Sequence, residues 1–302
     1  MPLPKKVKIV EVSPRDGLQN ESKLVCAEEK IELINLLVHA GVRCIEAGSF
    51  VNPNWIPQMA TSDDVFRGMR RRKNVTFSAL IPNLRGFDRA IDAGVDEISI
   101  FTSVSESFSK ININCSVDES LQRFIPVLKA AQDKNIPVRA YVSCVAGCPY
   151  EGYMNPERSA KLADELYQMG CYEISLADTT GVGTPYLISQ IIECVAKKIP
   201  IHRIAVHFHD TYSQALVNIY AALLMGVNII DSSVAGLGGC PYVKNPDNNG
   251  ASGNVATEDL VYMLNGLDIE HNINLKRVIA AGVFISRKLG RPNRSKVSTA
   301  LA

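Results

Sequence analysis

Short apolar, β-branched runs alternate with longer helical patterns along the whole chain of 302 residues. Eight runs are predicted as strands, at residues 7–12, 43–47, 75–80, 97–101, 137–144, 172–176, 203–207 and 228–232. Apolar residues at helical spacing follow each run, at residues 27–40, 62–71, 84–93, 117–134, 156–169, 185–198, 214–225 and 256–267. Eight strand–helix units with near-continuous apolar strands predict an α/β fold, a (β/α)8 TIM barrel with a parallel sheet covered on both faces. A doubly wound open sheet is the alternative.

One barrel of this type uses about 250 residues, and no linker rich in Pro, Gly or Ser divides the chain. We therefore predict a single domain over residues 1–302. The glycine-rich segment 236–254, between the eighth strand and its helix, is too long for a simple connection. This segment is predicted to be a lid loop over the barrel mouth.

The charge balance excludes several classes of partner. Lys and Arg total 32 and Asp and Glu total 31, so no net field favours nucleic acid or an acidic membrane. The eight cysteines lie within apolar strand and helix patterns, which indicates reduced thiols. No apolar stretch approaches the roughly 18 residues of a membrane span, and the first residues do not resemble a signal peptide. We expect a cytoplasmic protein.

Two histidines, one residue apart, lie at the end of the seventh predicted strand. Successive side chains of a strand point to opposite faces, so His207 and His209 project from the same face. A histidine near a strand end is usually an ordinary polar residue, but the chain has only five and two of them share this turn. Two imidazoles on one face form half of a metal site, so the pair predicts metal binding.

Charged residues stand at the ends of three other predicted strands, where the active site of a TIM barrel lies. Arg15 and Asp16 follow strand one, Glu46 ends strand two and Asp178 follows strand six. Asp16 would supply the oxygen ligand that the histidines lack, and Arg15 a donor for an oxyanion. The structural alternative is an ion pair that closes the strand ends, with Glu46 bound to Arg15.

Cys240 lies within the glycine-rich segment 236–242. Most cysteines are small core residues, but a thiol on a loop near a metal site can act as a nucleophile or a general acid. The loop position therefore favours a catalytic role for Cys240. The glycines here and at 181–183 match neither a P-loop nor a dinucleotide-binding fingerprint.

Several segments together resemble the 3-hydroxy-3-methylglutaryl-CoA (HMG-CoA) lyase family over essentially the whole chain. They are residues 14–21 (PRDGLQNE), 49–51, 55–59, 112–115, 141–144, 147–150, 207–211 (HFHDT), 236–242 (GLGGCPY) and 250–254 (GASGN). The resemblance implies a TIM-barrel enzyme that cleaves an acyl-CoA substrate, HMG-CoA, to acetyl-CoA and acetoacetate. It also implies a homodimer.

The resemblance further implies a ligand set for a divalent cation. Asp16, His207, His209 and Asn254 would bind Mg²⁺ or Mn²⁺, with water and substrate oxygens completing the shell. Two imidazoles make the site softer than one built from oxygen alone, so other divalent ions would also fit.

Roles for the remaining site residues follow from the same resemblance. Arg15 would stabilise the enolate oxygen of acetyl-CoA, and Cys240 would protonate the enolate carbon. Glu46 and Asp178 would orient Arg15 and the metal-bound groups. His207 is the leading candidate for the base only if its ring can rearrange, because a metal-bound nitrogen cannot accept a proton.

The chain departs from the family pattern at three places. Residues 243–249 lengthen the predicted lid, Ala177 replaces a usual glycine, and Ala47 and Gly48 stand where hydroxyl residues are common. The organelle leader and regulatory cysteine of animal members are not matched, which fits the expected cytoplasmic location. A condensing transferase of the same barrel group is the alternative function, and a non-catalytic metal-binding scaffold would not need Cys240.

Overall fold

The computed structural model describes residues 2–239 and 253–302. Its barrel strands are β1 (Lys8–Glu11), β2 (Cys44–Ser49), β3 (Thr76–Leu80), β4 (Glu97–Ser103), β5 (Val138–Ser143), β8 (Glu173–Asp178), β9 (Ile204–Phe208) and β10 (Ile229–Ser232). A small hairpin outside the barrel contains β6 (Gly147–Cys148) and β7 (Gly152–Tyr153). The helices are α1 (Ala27–Ala40), α2 (Ser62–Gly68), α3 (Leu84–Ala93), α4 (Glu106–Ile113), α5 (Val117–Asp133), α6 (Pro156–Gln168), α7 (Pro185–Ala196), α8 (Ala215–Leu224), α9 (Thr257–Gly266), α10 (Leu275–Leu289) and α11 (Lys296–Leu301).

The eight main strands form a closed parallel barrel in the order β1-β10-β9-β8-β5-β4-β3-β2. All eight predicted strands are present, and their ends differ from the predictions by at most two residues. The TIM barrel is confirmed and the open-sheet alternative is wrong, because β1 pairs with both β2 and β10 and leaves no free sheet edge. Parallel closure places the carboxyl ends of all eight strands at one rim.

Local sequence signals fix where most helices begin and end. Ser116 and Glu119 form a reciprocal capping box at the start of α5, and Asn155 caps α6, whose first residue is proline. α1 ends at Gly41, whose φ of 108° is accessible mainly to glycine. These signals explain why helix boundaries were predictable before the packing was known.

The structure adds elements that the sequence analysis did not predict, namely α4, α10, α11 and the β6–β7 hairpin. α10 packs against both α1 and α9 and so completes the outer ring of helices next to the point where the barrel closes. α2 ends at Gly68, before the predicted end at residue 71. Among the described residues, no helix combines the length and apolar character needed to cross a membrane.

The barrel interior is more polar than the apolar strand pattern suggested. The main apolar core lies between the strands and the surrounding helices, where Phe77, Ile45 and Leu33 are fully buried. Inside the barrel, a small apolar cluster of Val10, Val12, Ala205 and Ile229 lies apart from this main core. Buried ionic and hydroxyl side chains from β5, β8 and β10 also make contacts with one another.

Candidate active site

A single π-helical turn, Ser13–Gly17, follows β1 and presents Arg15 and Asp16 at the barrel rim. π-helical turns are rare overall, and those that occur are often found at functional sites. A Cβ at Gly17 would lie 2.7 Å from Ser233 Oγ and 2.9 Å from Leu237 Cβ, so glycine permits the close approach to the segment after β10. The turn therefore links the first strand of the barrel to the last.

Arg15 is held by two carboxylates. Its Nε donates to Glu46 Oε2, and its Nη1 donates to Asp16 Oδ1 at 2.7 Å. Burial alone would lower the pKa of Arg15, but the charges of Glu46 and Asp16 outweigh it and raise that pKa. The predicted contact between Arg15 and Glu46 is confirmed, and it fixes a permanent positive charge at the rim.

Asp16, His207 and His209 form the one cluster of potential metal ligands found among the described residues. One ligand atom from each lies within 4.8 Å of the others. His207 Nε2 is 3.8 Å from Asp16 Oδ2, and the two imidazole centroids are 5.4 Å apart. The prediction that both histidines project to one face is confirmed. Burial would raise the pKa of Asp16, but Arg15 and the histidines outweigh it and lower that pKa.

The residues of this cluster fit a divalent cation. Burial, assisted by His207, lowers the pKa of His209 to about 4, so its imidazole is neutral near pH 7. His209 Nδ1 is buried and has no hydrogen-bond partner in the part of the chain that the structure describes. Buried polar atoms are normally paired, so an unpaired ring nitrogen on a residue of this cluster is expected of a ligand for a cation.

Asn254 also lies at this cluster. Its Nδ2 donates to Asp16 Oδ2 at 2.8 Å and to the Leu237 carbonyl at 3.1 Å, and its backbone pairs with that of His209. The contact is made by the amide nitrogen, whereas the oxygen is the atom that would bind a metal. The role of Asn254 as a ligand therefore stays a prediction.

Asp178 is placed differently from its prediction. Its Oδ1 accepts the Gly181 N–H at 3.1 Å and its Oδ2 accepts the Gly183 N–H at 2.8 Å. Burial raises the pKa of Asp178 to about 6, against the lowering effect of these N–H groups. Asp178 is the last residue of β8 and has a short side chain, so its carboxylate binds the loop that follows the strand. None of its described hydrogen bonds supports the predicted orientation of Arg15.

Cys240 and most of the predicted lid, residues 240–252, lie outside the described residues. The two described ends of that segment pack against the barrel. Asn20 Nδ2 donates to the Gly239 carbonyl at 2.9 Å, and the Asp210 N–H donates to the Gly253 carbonyl at 3.0 Å. Gly239 and Gly253 are therefore anchored to the rim of the barrel.

The sequence analysis missed a buried ionic group below the rim. Arg139 on β5 binds Asp231 on β10 through two hydrogen bonds, and Asp231 also contacts His207 Nδ1 at 3.1 Å. Tyr141, on the same strand as Arg139, lies edge-on to the His207 ring at 5.6 Å, and its buried hydroxyl has no partner among the described residues. A charged residue inside an apolar parallel strand was the available signal.

A closed parallel barrel with a carboxylate and two histidines at the carboxyl ends of its strands defines a TIM-barrel enzyme with a candidate metal site. A family model described as HMGL-like matches residues 6–285. The chain therefore belongs to the HMGL-like family.

Individual relatives agree with this assignment over nearly their whole length. A Pseudomonas aeruginosa protein named 3-hydroxy-3-isohexenylglutaryl-CoA/hydroxy-methylglutaryl-CoA lyase is 54% identical over 301 residues, covering 100% of this chain and 99% of the relative. The crystal structure of hydroxymethylglutaryl-CoA lyase from Pseudomonas aeruginosa has a TM-score of 0.96 at 53% identity, covering 100% and 99% of the two chains. An Acinetobacter baumannii HMG-CoA lyase, solved in complex with coenzyme A and 3-methylmalate, has a TM-score of 0.93 at 35% identity, covering 98% and 95%.

Proposed function

We propose that this protein is a carbon–carbon lyase that cleaves HMG-CoA to acetyl-CoA and acetoacetate. The observation that carries the proposal is the cluster of Asp16, His207 and His209 beside Arg15 at the rim of the barrel. The full-length similarity to proteins named as HMG-CoA lyases supports it.

The proposed cofactor is Mg²⁺ or Mn²⁺, held by Asp16, His207, His209 and Asn254. When bound, a divalent cation would lower the pKa of the substrate 3-hydroxyl and fix its orientation. The mixed carboxylate and imidazole set suits Mn²⁺ as well as the harder Mg²⁺.

Arg15 is proposed to stabilise the negative charge that develops on the thioester oxygen. Loss of the 3-hydroxyl proton forms the ketone of acetoacetate, and the electrons of the broken C2–C3 bond enter the thioester as an enolate. A guanidinium fixed by Glu46 and Asp16 needs no reorganisation to meet that charge, which is the condition for efficient electrostatic catalysis. Cys240, outside the described residues, is proposed to return a proton to C2 of the enolate.

The proposed substrate class is 3-hydroxy-3-alkylglutaryl-CoA. One relative is named for both the methyl and the isohexenyl substrate, and another was solved with coenzyme A. The family resemblance implies that residues 243–249 lengthen the link between Cys240 and the 250–254 segment. A panel of 3-alkyl substrates, compared by kcat/KM, would show how long a branch the site accepts.

A steady-state assay with purified protein, HMG-CoA and Mg²⁺ tests the activity by the appearance of acetoacetate. We expect turnover that is lost with EDTA and restored by Mg²⁺ or Mn²⁺. Cys240→Ala is expected to lower kcat about 10²–10⁴-fold, the range for loss of a general acid. Acetoacetate formation no faster than in Cys240→Ala, with metal present, would contradict the proposal.

We also propose a homodimer and a cytoplasmic location, which rest on the family resemblance and the sequence. Light scattering during size-exclusion chromatography would test the dimer, with 33.0 kDa as the mass of one chain. A monomer mass at micromolar concentration would overturn it.

A further inference from the structure

Asp231 is a buried carboxylate with a fixed set of donors. It lies on β10 with 1% of its surface exposed. Arg139 Nη2 donates to Oδ1 at 2.6 Å, Arg139 Nη1 donates to Oδ2 at 3.0 Å, and the Ser175 hydroxyl donates to Oδ2 at 3.0 Å. A carboxylate bound in this way by a guanidinium is ionised and acts only as an acceptor.

The Asp231 carboxylate has one further hydrogen-bond partner among the described residues, the His207 ring. His207 Nδ1 lies 3.1 Å from Asp231 Oδ2. Because the carboxylate can only accept, Nδ1 must carry the proton, whether the imidazole is neutral or charged. In the neutral ring the lone pair is then on Nε2, which faces the Asp16 side of the cluster at 3.8 Å.

The position of Arg139 is itself determined by other charges. Its Nε donates to Glu173 Oε1 at 2.6 Å, and the other oxygen of Glu173 accepts from Lys8 Nζ at 2.8 Å. The guanidinium also lies over the ring of Tyr141, with 4.8 Å between its central carbon and the ring centroid. The carboxylate of Asp231 therefore cannot turn away from His207 without breaking contacts to β5 and β8.

The two histidines of the cluster differ in the partners of their ring nitrogens. Nδ1 of His207 is occupied by the carboxylate of Asp231, whereas Nδ1 of His209 has no partner among the described residues and is itself available to a cation. A carboxylate behind a ligating histidine fixes the ring, selects its tautomer and raises its basicity.

We infer that Asp231, clamped by Arg139, is a positioning residue that holds His207 as the Nδ1–H tautomer, so that Nε2 is the atom offered to the metal. The inference rests on the proposed metal site. It has a consequence for the reaction: with Nδ1 protonated and Nε2 bound, His207 has no free nitrogen to act as the general base. The hydroxyl proton must therefore go to another group, and the His207 base considered from the sequence is disfavoured.

The test reads the tautomer directly. Full-length protein labelled with ¹⁵N-histidine gives long-range ¹H–¹⁵N spectra in which protonated and unprotonated ring nitrogens are resolved, and the chain has only five histidines to assign. We expect an unprotonated Nε2 in wild-type His207 before Mg²⁺ is added and a shift of that nitrogen after addition. A wild-type spectrum with the proton on Nε2 would overturn the inference without any variant.

Asp231→Asn is the matching variant. Arg139 donates to both oxygens of Asp231, so the NH₂ of the amide faces Arg139 in either orientation and the guanidinium clamp is broken. A neutral amide without that clamp can turn its NH₂ to His207, where it cannot accept from Nδ1, so the ring is no longer held in one tautomer. We expect a measurable Nε2–H population and a Kd for Mn²⁺ about 10–100-fold weaker, measured by EPR of free Mn²⁺. Ser175→Ala is the control, because it removes a hydrogen bond to the same oxygen without changing its charge, and it should preserve the tautomer.

The outcomes separate this inference from the proposed function, since neither measurement uses an acyl-CoA. Asp231→Asn that keeps both the wild-type tautomer and the wild-type Mn²⁺ affinity would overturn the inference. Failure of the wild-type enzyme to cleave HMG-CoA, with the tautomer and metal affinity as expected, would overturn the proposed function alone.

Discussion

At the residue scale, the proposed role of Arg15 depends on the geometry of its hydrogen bonds more than on its charge alone. The guanidinium meets Glu46 through Nε and Asp16 through Nη1, so two different edges of one planar group are used. A lysine carries the same charge but cannot present donors in this fixed fork. The site therefore requires an arginine and not merely a cation.

Arg15→Lys is expected to lower kcat by about 10²–10³-fold, the loss typical of a removed oxyanion donor. Mn²⁺ binding should change much less, because the positive charge beside Asp16 remains. Comparison of kcat with the Kd for Mn²⁺ separates the two effects. Arg287→Lys, an exposed position on α10, is the control and should match wild type. A near-normal kcat in Arg15→Lys would contradict the proposed role.

At the element scale, the segment that carries Asn254 depends on a close backbone contact. A side chain at Gly253 would lie 2.1 Å from the Gly236 carbonyl oxygen and 2.9 Å from that of Gly238. Backbone atoms cannot move aside as a flexible side chain can. Any other residue at this position must therefore displace the strand-like bridge that holds Asn254 beside His209.

Gly253→Ala is accordingly expected to weaken Mn²⁺ binding and to reduce stability by about 1–3 kcal/mol, the usual cost of overpacking. Gly266→Ala is the matched control, because its added Cβ meets nothing within 4 Å. It should be neutral or stabilising by up to about 1 kcal/mol, since alanine favours the helix. Urea unfolding and Mn²⁺ titration of both variants measure the two quantities. Equal changes in stability and in Mn²⁺ affinity for Gly253→Ala and Gly266→Ala would contradict the prediction.

The turn after β10 is held by hydrogen bonds to a buried glutamate, Glu258, on α9. Both oxygens of Glu258 accept the Ala235 N–H, at 3.0 and 2.9 Å, and Ala235 has a φ of 57°. Burial raises the pKa of Glu258 from 4.5 to about 8, although these hydrogen bonds lower it, and Glu11 is the charged neighbour that raises it further. The folded protein therefore holds this carboxyl protonated at neutral pH.

Between these two pKa values the folded state binds a proton that the unfolded state has lost, so stability must fall as pH rises from about 4.5 to about 8. The contribution of Glu258 to that fall is at most roughly 5 kcal/mol. Urea unfolding from pH 5 to 9 should show a flatter profile for Glu258→Gln than for wild type. The exposed Glu32→Gln control should keep the wild-type slope, and an unchanged slope in Glu258→Gln would refute the assignment.

At the scale of the whole molecule, one ionic group joins opposite sides of the barrel. Arg139 on β5 connects Glu173 on β8 with Asp231 on β10, and Lys8 on β1 completes the group. These strands are distant in sequence, so the contacts exist only in the closed barrel. Removing the central cation would leave buried Asp231 without a guanidinium and buried Glu173 with Lys8 as its one cationic partner among the described residues.

Arg139→Met is expected to lower the free energy of unfolding by about 3–5 kcal/mol, the cost of breaking a buried ionic pair. Lys6→Met is the control, because Lys6 and Glu270 are paired at 2.6 Å but their side chains are 59% and 57% exposed. That change should cost less than about 1 kcal/mol. Denaturant unfolding of both variants at one pH compares their free energies of unfolding. Similar losses of stability in the two variants would show that burial does not decide the strength of these ion pairs.

Strand number, strand positions and rim residues were predictable because they depend on local patterns. Short apolar runs between helical patterns predicted the eight strands, and the carboxyl ends of those strands predicted the positions of Arg15, Asp16 and the histidine pair. The additional helix α10 was missed because it does not follow a barrel strand directly. Asp178 was correctly predicted at the rim, but its hydrogen-bond partners were not. Several donors lie near such a side chain, and spacing along the sequence does not show which of them it binds.

The sequence by itself determined the barrel, the face on which His207 and His209 lie and the family resemblance, since periodicity and short motifs are properties of neighbouring residues. Only the tertiary structure decided which charges meet: Glu46 with Arg15, Asp178 with its own loop, and Asp231 with both Arg139 and His207. The physical reason is that burial makes ionic side chains pair with whatever the fold brings within about 3 Å. Closure of the barrel, and not distance along the chain, sets those neighbours.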